Sequence, residues 1–86
     1  DDGDFSPLNA GSRAVLAATR TAGQERVLVL SNLGARALDV NLKALGVAPA
    51  DVSAVHEPLV AEPTLSLPLD AVIELPGLGL LVLELR

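Results

Sequence analysis

Arg26-Val27-Leu28-Val29-Leu30 is the stretch that decides the fold class. Its four consecutive apolar side chains are valine on one side of an extended chain and leucine on the other, because successive side chains of a strand point to opposite faces. A short run that is apolar on both faces predicts a central strand, covered on both sides. Just upstream, Thr21-Ala22-Gly23-Gln24 separates it from Ala14 to Thr19. Gly23 supplies the positive φ that a tight hairpin needs. Propensity alone would make the alanine-rich Ala14–Thr19 helical. The hairpin gives it a strand partner instead, and a strand is predicted there.

Downstream, Ala37 to Leu42 alternates. Leu38, Val40 and Leu42 share one face, opposite Ala37, Asp39 and Asn41. This is the pattern of a half-buried strand with one wet face. Lys43 to Ala50 reads as a loop or a single helical turn, and Val52 to His56 as a short strand. Thr64 to Leu69 alternates again with Leu65, Leu67 and Leu69 inward; Pro68 cannot donate to a ladder, so the piece belongs at an edge or turns its missing donor outward. Ala71 to Leu75 follows. Leu80 to Arg86 closes the chain, with Leu81, Leu83 and Leu85 on one face and Glu84 and Arg86 on the other. Turn signals cut the chain into these short pieces: Gly3, Pro7 with Asn9 and Gly11, Gly23, Asn32 to Gly34, Gly46 to Pro49, Pro58, Pro63, Asp70 and Pro76 to Gly79. The sum predicts an all-β chain, an antiparallel Greek-key β-sandwich of about six to eight short strands. Residues 13–86 form the sandwich, and 1–12 are expected as an acidic lead-in segment.

Composition narrows the function. The 86 residues allow one domain at most. There is no cysteine, hence no disulfide and no thiolate ligand or nucleophile, and a single histidine makes a Ser-His-Asp triad improbable. A net charge of -5 argues against nucleic acid as a partner and against an anionic membrane surface. The most apolar run, Leu75 to Leu83, is far shorter than a membrane-spanning helix and is broken by Pro76 and Gly77. The acidic start is unlike the basic start of a signal peptide, so a cytoplasmic location is expected. Half of the residues are apolar but only Phe5 is aromatic, and the mean hydropathy is +0.47. So small a domain has little interior for that many aliphatic groups. Part of the surplus is expected on a face that something else covers.

No constellation that carries chemistry stands out. His56-Glu57 is the one acid–base neighbour pair, and adjacent strand residues point apart. Glu57, Glu62, Asp70 and Glu74 read as solvated turn residues, with no spacing that demands the close carboxyl pair of a retaining glycosidase. Asp1, Asp2 and Asp4 lack the later glutamate and the ligand ladder of an EF-hand loop. Gly77-Leu78-Gly79 is followed by no lysine, so turn glycines explain it better than a phosphate loop. No catalytic residue, metal ligand or cofactor is assigned. With no Trp or Tyr platform for a sugar ring to stack on, independent glycan binding is not expected.

In order along the chain, the pieces resemble the C-terminal β-sandwich domain of glycoside hydrolase family 13, the α-amylase family. Gly3-Asp4-Phe5 with Leu8 resembles the segment that leaves the last helix of the catalytic barrel. Arg13 to Arg20 resembles the first strand, which often ends in arginine before a turn. Gln24 to Leu33 resembles the second strand, a Val/Leu run followed by asparagine and an apolar residue. Ala37 to Leu42 resembles the third. Ile73 to Leu85 is similar to the closing hairpin, where an apolar-Pro turn leads into the final strand. Gly77 and Leu78 stand where the family usually has a second proline and an aromatic residue. The α-glucosidase and trehalose-synthase branch is the nearest in pattern.

The resemblance implies a non-catalytic domain, because the family's catalytic carboxylates sit at the ends of barrel strands and no barrel fits in this chain. It also implies a partner: the catalytic (β/α)8 barrel of the same or a split enzyme. The residues point to where that partner would sit. Val27 and Val29 oppose Leu28 and Leu30, and Leu80 and Val82 oppose Leu81, Leu83 and Leu85. A two-sheet sandwich buries one face of each strand. Val27, Val29, Leu80 and Val82 are therefore the expected docking surface, unless the domain's own loops cover them. The rival expectation is an immunoglobulin-like protein-interaction module with an exposed hydrophobic edge. Pro68, Asp39, Glu74 and Glu84 would blunt such an edge.

Overall fold

The computed structural model describes residues 4–8 and 14–86. Among them are seven β-strands and no α-helix: β1 (Asp4–Leu8), β2 (Val15–Ala22), β3 (Glu25–Asn32), β4 (Leu38–Asn41), β5 (Val52–His56), β6 (Val72–Leu75) and β7 (Leu80–Leu85). Every pairing is antiparallel. One sheet has the order β1-β2-β3-β7-β5, and β4 and β6 form the other. After the meander β1-β2-β3 the chain crosses to the small sheet and back twice, and β7 inserts between β3 and β5.

The β2–β3 hairpin lies where Gly23 places it. Ala22 pairs with Glu25, and Gly23 takes φ +61° in the two-residue loop between them. A Gly with positive φ at the first central position is the mark of a type II′ turn, whose twist suits the flanking strands. This pairing overrides the helical propensity of the alanine-rich strand, since each ladder bond satisfies backbone groups that a lone short helix would leave to water.

The two sheets share one core. From the large sheet come Val15, Ala17, Leu28, Leu30, Leu81 and Leu83; from the small one come Val40, Ile73 and Leu75. Register stacks the leucines: Leu28 lies opposite Leu83 and Leu30 opposite Leu81. Leu28, Leu30, Leu75 and Leu83 are wholly inaccessible to solvent. Two 3-10 turns, Lys43–Leu45 and Pro49–Asp51, carry the chain from β4 to β5 and tuck Leu45 and Val47 under the core's edge. Asn41 begins the first turn, its side-chain oxygen accepting the N–H groups of Lys43 and Ala44.

Three expectations change. The lead-in segment 1–12 contains a strand: Asp4–Leu8 pairs with Leu8 opposite Ala17 and Asp4 opposite Thr21, at the edge of the large sheet. Asp1 to Gly3 and 9–13, including Arg13, lie outside the described residues. Thr64 to Leu69 makes no ladder. It lies between Pro63 and Asp70 and contains Pro68, which follows a cis peptide bond after Leu67 and has no N–H to give a neighbour. Leu69 enters the core and Leu65 packs against it, while Leu67 turns out to solvent. Finally, Glu57 is no solvated turn residue, being only 6% exposed. Its carboxyl oxygens accept the Thr64 hydroxyl and the Leu65 N–H, each at 3.0 Å, and these bonds make its burial tolerable.

Candidate functional site

The alternation that sends Leu28, Leu30, Leu81 and Leu83 inward sends Val27, Val29, Leu80 and Val82 to the opposite face of the same two strands. Adjacent pairing of β3 with β7 then gathers them. Val29 lies directly opposite Val82, Leu80 opposite Ser31, and Val27 opposite Glu84. All four are half-buried. β2 extends the surface, with Ala18 across from Val29 and Leu16 across from Ser31. Leu16 is 58% exposed, a large value for a strand leucine. The small sheet packs on the other side of the large one, and among the described residues no element covers the outer, aliphatic side.

Charge lies at one end of that face. Arg20 stands across from Val27 on β2, and Glu84 across from it on β7. Glu84 also meets His56 of β5, Oε2 to Nε2 at 2.5 Å, with both side chains about half exposed. A shallow cleft of about 180 Å3 between Arg20, Ala22, Glu25 and Val27 marks the same end. The opposite end is formed by Leu16 and Leu80, with Ser31 between them. The face thus has an aliphatic centre and a charged rim on one side. Covering what remains exposed of each of these valines and of Leu80 is worth at most roughly 1 kcal/mol.

His56 and Glu57 point apart, as neighbours on an extended chain must: His56 joins the outer rim, and Glu57 turns into the loop that follows. Among the described residues no three His, Asp or Glu side chains converge closely enough to hold a metal ion. Asp70 and Glu74 line a half-open cleft of about 300 Å3 with Thr64, Leu65, Leu69 and Ile73.

The role of Asn32 was not legible from the turn signal Asn32-Leu33-Gly34. Asn32 continues the inward side of β3 beyond Leu28 and Leu30 and is 1% exposed. Its amide nitrogen donates to the carbonyl oxygens of Arg36 at 2.8 Å and Leu75 at 3.1 Å, and its side-chain oxygen accepts the Gly34 N–H at 2.9 Å. An asparagine at an inward position of an apolar strand is the signal that could have found it, since a buried amide needs partners for its donors.

No protein-family model and no curated protein matches this sequence. The likeness to glycoside hydrolase family 13 rests on the order of the strand and turn patterns alone.

Proposed function

We propose that this chain is a non-catalytic accessory domain that docks through the outer face of its five-stranded sheet onto the catalytic barrel of a retaining enzyme of the α-glucoside-active family 13 type, a hydrolase or a transglycosylase. The observation that carries the docking role is the gathering of Val27, Val29, Leu80 and Val82 on one face that no other described element covers, with Leu16 at its margin. Interfaces between domains of one chain cover about 600–1,500 Å2, room enough for this face. The choice of partner is supported by the resemblance, above all by the second-strand run Gln24 to Leu33 and the Pro76 turn into the final strand. The domain's contribution is mass action: a body that packs only on the folded barrel stabilises it.

Native mass spectrometry on the protein isolated from its source tests this. The expected result is the 8.8 kDa chain, or a longer polypeptide containing it, in one particle with a much larger polypeptide that cleaves a maltose-like chromogenic glucoside. Val29→Lys with Val82→Lys should release it. A free 8.8 kDa monomer, or a partner without glucosidase activity, would overturn the reading and put the interaction-module alternative in its place.

A further inference from the structure

Between β5 and β6 the chain runs for fifteen residues, Glu57 to Ala71, without joining either sheet. Its attachments are few. Among the described residues, the only N–H groups of this segment that find a protein acceptor are those of Val60, bonded to the Glu57 carbonyl, and Leu65, bonded to the Glu57 carboxyl. At the far end the Ala71 carbonyl accepts the Leu42 N–H at 2.8 Å. Leu69 is seated in the core and Leu65 packs against it, whereas Leu59 is 65% exposed and Leu67 43%. The strap therefore hangs on two leucines, one buried carboxyl group and, at its far end, the Ala71 carbonyl.

β6 has a ladder partner, β4, on one side only. The strap and β6 together line the cleft of about 300 Å3, Thr64, Leu65 and Pro68 from the strap and Val72, Ile73 and Glu74 from β6. A strand with a free side is a template for pairing with another chain, and covering it with a loop is one way proteins suppress that.

We propose that residues 57–71 are an opening strap that shields β6, latched by the Glu57 carboxyl group, and that the strap lets go while the two sheets stay folded. Segments with few buried contacts and few internal backbone bonds open locally, at far lower free energy than global unfolding. The ladders β2-β3-β7 and the leucine core they carry do not depend on the strap's hydrogen bonds. The latch works because Glu57 accepts two donors from the strap's own middle, Thr64 and Leu65, and so closes a nine-residue loop on a buried group. Releasing Glu57 frees both donors to water at once.

Hydrogen exchange on the full chain, followed by mass spectrometry of peptic peptides, tests this with two variants. Glu57→Gln keeps the shape but turns one of the two acceptors into a donor. Thr64→Val keeps the shape and removes one donor. For Glu57→Gln, exchange of the Leu65 amide, the strap N–H that the Glu57 carboxyl group holds, should quicken about tenfold or more, the equivalent of one hydrogen bond to a charged group, and for Thr64→Val by a smaller factor. Peptides from β3 and β7 should keep the exchange of the parent protein. Equal acceleration of strap and β3 peptides would show one cooperative unit and overturn the proposal; so would strap exchange that neither variant changes.

Discussion

The Asn32 side-chain amide donates to the Leu75 carbonyl oxygen across 3.1 Å, and this bond ties β3 of the large sheet to β6 of the small one. Leu75 itself is fully buried, so no water can replace the donor. The same amide group holds the Arg36 carbonyl, and the backbone N–H of Asn32 reaches the Gly79 carbonyl at 2.9 Å. One residue thus gathers the β3–β4 and β6–β7 turns at one end of the two sheets.

Asn32→Ala is expected to lower the unfolding free energy by about 2–4 kcal/mol, because it strands the Leu75 carbonyl and the Gly34 N–H as well as opening a small void. Asn32→Asp should be at least as damaging at neutral pH, since a carboxylate has no proton to donate to either carbonyl. Urea unfolding with an unchanged slope would check both.

The turn Pro76-Gly77-Leu78-Gly79 predicts substitutions of opposite sign. A Cβ on Gly77 would stand 2.1 Å from the Ala35 carbonyl oxygen, and both are backbone-bound. Gly77→Ala should therefore displace the turn and cost about 2 kcal/mol or more. Leu78, in contrast, holds φ +57° with its side chain 66% exposed. Leu78→Gly or Leu78→Asn should raise stability by about 0.5–1 kcal/mol, since either residue tolerates the left-handed region better than leucine. Thermal melts of the two variants would read the difference in sign.

The two faces of β3 and β7 should respond in opposite ways to change. Leu30→Ala and Leu83→Ala are expected to cost about 2–5 kcal/mol each, as fully buried leucines do. Val29→Lys and Val82→Lys should cost the chain alone less than about 1 kcal/mol, because a long side chain there can carry its charge into water. Losses of several kcal/mol from both lysine variants would make the outer face part of the core and remove the docking surface. Denaturant midpoints on the four variants decide it.

The His56–Glu84 pair should contribute little on its own. Both side chains are about half exposed, and exposed ion pairs are worth about 0–1 kcal/mol. His56→Ala is expected to lower the melting temperature of the chain by no more than about 4–8 °C, the equivalent of about 1 kcal/mol in a domain of this size. A larger drop would mean that the pair organises the bulged edge where Ser53 of β5 bonds the Glu84 carbonyl.

Much of this molecule follows from local chemistry. Two-residue alternation placed Leu28, Leu30, Leu81 and Leu83 on one side of their strands and Val27, Val29, Leu80 and Val82 on the other, because pleated backbone leaves a side chain no choice of face once its neighbour is set. Gly23 set the first hairpin for the same kind of reason, a positive φ available at no steric cost. Tertiary structure decided what alternation cannot carry. Thr64 to Leu69 has the pattern of a strand, yet among the described residues no strand lies in register beside it, and its one bonded N–H, that of Leu65, goes to the Glu57 carboxyl group instead. Asp4–Leu8 became a strand because β2 offered it an edge. Glu57 and Asn32 look like ordinary turn residues until the fold buries them. Their roles depend on which distant backbone groups arrive beside them, and hydrogen-bond partners 43 positions apart in the chain, as Asn32 and Leu75 are, leave no periodic trace in sequence.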